Sequence, residues 1–309
     1  MTREERPRHF RTLMDLGSEG LRAVLDRADE LRLLRGTADH PRPLAGKSVA
    51  ILLEKASSRT RLSFEVGIWE LGGLPVTLLS KDTQLGRGEP LEDTARMLSR
   101  YVHGVVYRTF AHDNVETLAR HATIPVVNGL SDTYHPCQLL ADLMTVRQAT
   151  GGTLEGVRVA WIGDGNNMAN SWILAAGLTG LDLAIACPEG YDPAAEALDR
   201  ARHAGRGRVT ITRDPDEAIR GARVVTTDVW ASMGQEDEAV ARRRAFDGFL
   251  VDARRMALTS ADAVFLHCLP AHRGEEVAAE VIDGAASRVW DEAENRLHSQ
   301  KALLEHLLA

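Results

Sequence analysis

From Ser48 onward, short runs rich in valine, isoleucine and leucine alternate with segments whose apolar residues recur at helical spacing. That alternation constrains the fold more than any other feature, because strands separated by helices are joined by crossovers and pair in parallel. A first series predicts strands at residues 49–54, 75–79, 104–108 and 125–128, with helices beginning near Arg61, Leu91, Asp113 and Pro136. Each strand is short and mostly apolar, as suits one covered on both faces. The pair Gly151-Gly152 follows a long helical stretch and precedes a fresh strand, which marks a boundary. A second series predicts strands at 157–163, 183–187, 209–212, 223–228, 249–252 and 263–269, and a last helix at 292–308. The expected fold class is therefore α/β, with two domains that each carry a central parallel sheet flanked by helices. The expected division is 1–150, joined by the C-terminal helix at about 292–309, and 151–291. A length of 309 residues agrees with roughly 150 residues per domain.

Composition removes several classes of function. A net charge of −7 argues against nucleic acid, whose affinity rests on clustered Lys and Arg. The densest basic run, Arg242-Arg243-Arg244, follows acidic residues and reads as a solvated helix face. No apolar run reaches the ~18 residues that span a bilayer, so no membrane association is expected. The first seven residues run into charge and proline without an apolar stretch, unlike a secretory signal. Cys137, Cys187 and Cys268 are odd in number and widely separated, which suits free thiols in a reducing compartment. The expected location is cytoplasmic.

In parallel sheets ligands gather at the carboxyl ends of strands, so the residues after each predicted strand are where chemistry is to be sought. The first strand is followed by Lys55-Ala56-Ser57-Ser58-Arg59-Thr60-Arg61 and then a helix. That order aims backbone N–H groups, hydroxyls and a guanidinium at one point, the arrangement a phosphate dianion requires. A serine or threonine N-cap with solvent-facing arginines is the plainer alternative. Arg108 closes the third strand. His135-Pro136-Cys137-Gln138 opens a helix after the fourth, where proline is also an ordinary start signal. Three polar clusters after three strands of one sheet can converge on one anion.

The second series carries three such places. Gly163-Asp164-Gly165-Asn166-Asn167 opens a helix, Asp228-Val229-Trp230-Ala231-Ser232-Met233-Gly234 follows a strand, and His267-Cys268-Leu269-Pro270 ends another. Taken singly, Asp228 reads equally as an N-cap, Met233 as core filler and Cys268 as a small buried hydrophobe. Gly163-x-Gly165 could begin a dinucleotide fingerprint, but Met168 occupies the third glycine position. His267, Cys268 and His272 invite a metal, although their spacing is not a known ligand pattern.

These motifs resemble the aspartate/ornithine carbamoyltransferase family. Ser57-Ser58-Arg59-Thr60-Arg61 is similar to its S-x-R-T-R phosphate motif, with Ser58 where threonine is common, and His135-Pro136-Cys137-Gln138 is similar to its H-P-x-Q. The D-x-W-x-S-M-G and H-C-L-P motifs resemble the ornithine branch, and the likeness spans nearly the whole chain. It implies transfer of a carbamoyl group from carbamoyl phosphate to the side-chain amine of L-ornithine, giving citrulline, with no cofactor and no metal. It implies that Ser57, Ser58, Arg59, Thr60, Arg108, His135 and Gln138 bind carbamoyl phosphate, with Cys268, Leu269 and Arg296 beside the reacting groups. It implies a homotrimer in which a neighbouring subunit's loop completes the phosphate site, and places Gln84 in that loop. Asn167, Asp228, Ser232 and Met233 are implied to hold ornithine. Arg108, His135, Asp228 and Cys268 are implied to serve the chemistry. The phosphate half would equally suit enzymes that act on N-acetylornithine or putrescine, and a non-catalytic paralogue would show an eroded motif, which this chain does not.

The chemistry makes its own demand. An amine with a pKa of about 10.4 is mostly protonated at neutral pH and is then no nucleophile. Asp228 and Cys268 are the groups that could orient the amine and help it lose its proton, while Arg108, Thr60 and His135 stabilise the developing oxyanion.

Overall fold

A computed structural model describes residues 9–231 and 238–309. Ser232 and Met233 lie outside the described residues. The chain divides into two compact units, one formed by residues up to Met144 together with Glu294–Ala309, the other by Thr145–Ala293.

The first unit is built on β1 (Ser48–Leu53), β2 (Leu74–Leu79), β3 (Gly104–Arg108) and β4 (Val126–Leu130), all parallel, in the order β2-β1-β3-β4. Central β1 and β3 are buried along almost their whole length, which is why they read as continuous apolar runs. Edge strand β2 is only half covered, contrary to the expectation of two covered faces. The edge of β4 is closed by Phe10, whose backbone exchanges hydrogen bonds of 2.8 Å with Val126 and Asn128.

The second unit holds β5 (Arg158–Ile162), β6 (Asp182–Ala186), β7 (Arg208–Thr212), β8 (Val224–Thr227) and β9 (Val264–His267), parallel in the order β7-β6-β5-β8-β9. Its core contains Ile162, Val225, Trp230, Phe246, Phe249 and Phe265. The strand expected at 249–252 does not form. Val251 makes a single bridge to Val277, through Val251 N–H to Glu276 O at 3.0 Å and Ala278 N–H to Val251 O at 2.9 Å. A four-residue apolar run there serves the core through Phe249 and Val251 without joining a ladder.

In each sheet the chain lays down strands on one side and then returns to the other side of the first strand. The reversal falls between β1 and β3 in the first unit and between β5 and β8 in the second. In folds of this kind ligands bind at such switch points, because the flanking connections leave in opposite directions. Among the described residues no helix is long and apolar enough to cross a membrane.

Candidate active site

At the first switch point the helix begins at Ser58, three residues earlier than expected, and runs Ser58–Glu70. Ser57 is its N-cap and accepts from Thr60 N–H at 3.2 Å, so the capping role foreseen as an alternative is real. The early start puts Ser58, Arg59 and Thr60 in the first turn, where backbone N–H groups point outward. Thr60 is fully buried, and its Oγ1 lies 3.0 Å from Ser57 Oγ. Arg108 Nη1, from the end of β3, donates to the same oxygen at 3.3 Å. Arg296 Nη2, from the helix Val289–Leu308, donates at 3.2 Å. Two buried guanidiniums thus meet at one hydroxyl, Arg296 lying 236 residues from Thr60 in sequence.

His135 sits in the field of these cations. Burial, then the charges of Arg296, Arg108 and Arg59, hold its imidazole well below the usual 6.5, so it is neutral at neutral pH. Gln138 is buried in the first turn of the helix Pro136–Ala149 and donates through Nε2 to Asp142 at 2.8 Å. Arg61, the last residue of the motif, turns along its helix to Glu65 at 2.8 Å. Ser58 is exposed. Gln84 is also exposed, at the start of a short turn after β2, and makes none of the hydrogen bonds that join Thr60, Arg108 and Arg296.

The second switch point is organised around a carboxylate. Asp228, just past β8, accepts from Cys268 Sγ at 3.2 Å and Val229 N–H at 2.8 Å through Oδ1, and from Asn166 Nδ2 at 2.9 Å through Oδ2. Asn166 also caps the helix Asn167–Thr179, its Oδ1 accepting from Met168 and Ala169 N–H. Asn166, which the sequence did not single out, thus bonds to Asp228, while Asn167, named there for ornithine, is the first residue of the helix. Both follow one strand, and spacing alone does not say which faces the carboxylate. Cys268 is half-buried, whereas burial pushes the thiols of Cys137 and Cys187 up to about 12 and about 11.

Two alternatives meet physical obstacles here. A Cβ on Gly165 would lie 2.2 Å from Pro193 N, so this glycine admits the 191–193 backbone rather than a pyrophosphate. Asn166, moreover, occupies helix N–H groups that an anion would need. The ligand atoms of Asp228, His267 and Cys268 lie within 4.8 Å of one another. Both nitrogens of His267 are engaged, with Glu276 and with Leu269 N–H, so ligation by this histidine would break an internal bond.

The reading of Arg242-Arg243-Arg244 as one solvated face needs correction. Arg243 and Arg244 are exposed, but Arg242 is buried, with Nη1 2.7 Å from Asp164 Oδ2 and 2.9 Å from Trp230 O. Burial raises the pKa of Asp164 against the opposing pull of Arg242.

A pair of α/β units with a cationic cluster at one switch point and a carboxylate and thiol at the other defines a two-domain group-transfer protein. Residues 8–148 match the family model described as the carbamoyl-P binding domain of aspartate/ornithine carbamoyltransferase, and residues 155–307 match its Asp/Orn binding domain. The chain belongs to the aspartate/ornithine carbamoyltransferase family. It is 56% identical over 305 residues to the ornithine carbamoyltransferase of Acidothermus cellulolyticus, covering 97% of this chain and 96% of that one. It is 52% identical over 301 residues to that of Pelobacter propionicus, covering 97% and 98%. The solved ornithine carbamoyltransferase of Pyrococcus furiosus is similar with a TM-score of 0.93 at 45% identity, over 98% of this chain and 97% of that one.

Proposed function

We propose that this chain transfers the carbamoyl group of carbamoyl phosphate to the side-chain amine of L-ornithine, releasing L-citrulline and phosphate. The observation that carries the phosphate half is the convergence of Arg108 and Arg296 on Thr60 beside a neutral His135. Two buried cations and a helix N-terminus match the charge and oxygen count of a phosphate dianion. The amine half is supported by Asp228 and Cys268 and by relatives that carry the name ornithine carbamoyltransferase over nearly their whole length.

In this reading residues 1–150 with the C-terminal helix bind carbamoyl phosphate, and 151–291 bind ornithine. Ser57, Ser58, Arg59, Thr60, Arg108, His135, Gln138 and Arg296 hold the phosphate and carbamoyl groups, aided by Cys268 and Leu269, with Gln84 supplied by a neighbouring subunit. Asn167, Asp228, Ser232 and Met233 hold ornithine, and Asn166 orients Asp228. Asp228 and Cys268 position the ammonium and draw off its proton. The neutral amine attacks the carbamoyl carbon, Arg108, Thr60 and an N–H of His135 stabilise the oxyanion, and collapse expels phosphate. Neither a cofactor nor a covalent thiol intermediate is required.

The proposed assembly is a homotrimer. Leu62, Trp69 and Leu74, all more than half exposed in the first unit, support a subunit contact there. The proposed setting is the cytoplasm, in arginine biosynthesis. A steady-state assay of ureido product with L-ornithine, N-acetylornithine, putrescine and L-aspartate tests the function. Citrulline from ornithine is expected, and a preference for another amine would overturn the acceptor assignment while leaving the phosphate site intact.

A further inference from the structure

The turn from His267 to His272 carries Cys268, and two carboxylates hold it from beneath. His267 and Glu276 are fully buried, each 0% exposed, with His267 Nε2 3.1 Å from Glu276 Oε1. His267 Nδ1 accepts from Leu269 N–H at 2.9 Å, which places the ring proton on Nε2 and makes it the donor to Glu276. The same oxygen of Glu276 accepts from His272 N–H at 2.6 Å. One carboxylate oxygen therefore ties both ends of the turn. Glu292 completes the hold by accepting from His267 N–H at 2.8 Å.

Between these anchors Leu269 adopts φ 58°, a conformation that a leucine keeps only where its surroundings impose it. The bond from its N–H to His267 is one such restraint, and it works only while the ring keeps its orientation. Glu276 is itself fixed independently of its side chain, because its carbonyl accepts from Val251 N–H at 3.0 Å. This is the part played by the isolated Val251–Val277 bridge that replaces the expected strand. Cys268, the residue between the anchors, reaches Asp228 at 3.2 Å.

We infer that Glu276 is a positioning residue for Cys268: through His267 at one end and the His272 amide at the other, it sets the turn that holds the thiol against Asp228. The inference rests on the proposed function for what the thiol does, but not for where it is held. A buried acceptor serving two N–H donors fixes direction as well as distance, and small misplacements at a reacting centre are costly.

The test compares Glu276→Ala, Glu276→Gln and Glu276→Asp in the full chain, reading turnover, carbamoyl phosphate affinity and the rate of Cys268 alkylation by iodoacetamide. Glu276→Ala is expected to lower kcat by between about tenfold and a hundredfold, while carbamoyl phosphate affinity, carried chiefly by Arg108 and Arg296 and only aided by Cys268 and Leu269, falls by no more than about threefold. Cys268, freed from Asp228, should alkylate about threefold faster or more; Cys137 and Cys187 are buried and contribute little. Gln keeps an acceptor oxygen but places an amide N in a buried position, so it should recover kcat to within about fivefold of the parent. Should the alanine variant not fold, Glu276→Asp keeps the charge, withdraws the oxygens by one methylene and should show the same losses more weakly. A Glu276→Ala chain with kcat within about twofold of the parent, or with unchanged thiol reactivity, would overturn the inference. So would a loss shared equally by carbamoyl phosphate binding and not restored by Gln. If the parent chain itself formed no citrulline, the functional reading would fail, and the alkylation rates would still decide the role of Glu276.

Discussion

The two switch points obey the same topological rule and are built from opposite charge. At the end of β1 and β3, Arg108 and Arg296 crowd a single hydroxyl, and burial, reinforced by their field, keeps His135 neutral. At the end of β5 and β8, a single carboxylate, Asp228, gathers an amide and a thiol. A fold of this kind prescribes where ligands bind, and the sign of the charge at each place prescribes which ligand. A phosphate needs cations brought together at the cost of their mutual repulsion. An ammonium that must lose its proton needs an acceptor held at a fixed angle. The first demand draws on cations from three distant segments, and the second on a hydrogen-bonded network behind one anion.

The contrast can be broken most sharply at Asp228. Asp228→Asn keeps the shape and removes the charge, so kcat with ornithine should fall by about 10²- to 10³-fold. Steady-state rates check this, and a near-normal kcat would deny the carboxylate its role. The next largest effect concerns stability. Arg242→Ala strands Asp164 in a buried setting and should cost about 3 kcal/mol in denaturant unfolding, with carbamoyl phosphate affinity unchanged.

A smaller effect follows from His135. Below pH 6.5 its imidazole takes up a proton in the unfolded chain that the buried ring refuses, so the unfolded state binds more protons and stability decreases as the pH is lowered. The loss should approach about 1.4 kcal/mol per pH unit until the depressed folded pKa is reached. Above pH 6.5 this contribution vanishes. Unfolding of the parent and of His135→Asn between pH 7 and 5 should show a shallower slope in the variant, and identical slopes would contradict a neutral His135. Smallest of all is Arg61→Ala. Its pair with Glu65 is exposed and should be worth less than about 0.5 kcal/mol, with turnover unchanged, although Arg61 belongs to the same motif as Arg59 and Thr60.

Much of the architecture was legible because buried parallel strands leave unbroken apolar runs, as at 49–53 and 104–107, and because polar residues immediately after them have few structural reasons to be there. The cluster from Ser57 to Thr60 was readable on the same grounds, local in sequence and placed at a helix start. Long-range contacts were not readable from local pattern. Nothing near Arg242 announces that Asp164, 78 residues away, will bury it, and nothing near Glu276 announces His267 as more than a neighbour. Arg296 was reached by resemblance alone, since its partner Thr60 is remote in sequence. The missing strand at 249–252 has a different cause: a short apolar run can fill a core through its side chains while its backbone finds only one bridge. Asn166 was not singled out, because a helix-start pattern does not say that its amide will reach Asp228, 62 residues away.

The central claim is that the cationic cluster takes the phosphate and the carboxylate cluster takes the amine. Calorimetric titration of carbamoyl phosphate into the Arg108→Ala and Asp228→Asn chains tests it most directly. Arg108→Ala should lose about tenfold to a hundredfold in affinity, while Asp228→Asn should bind within about threefold of the parent and still fail to turn over. Equal losses in both variants, or normal binding by Arg108→Ala, would contradict the division.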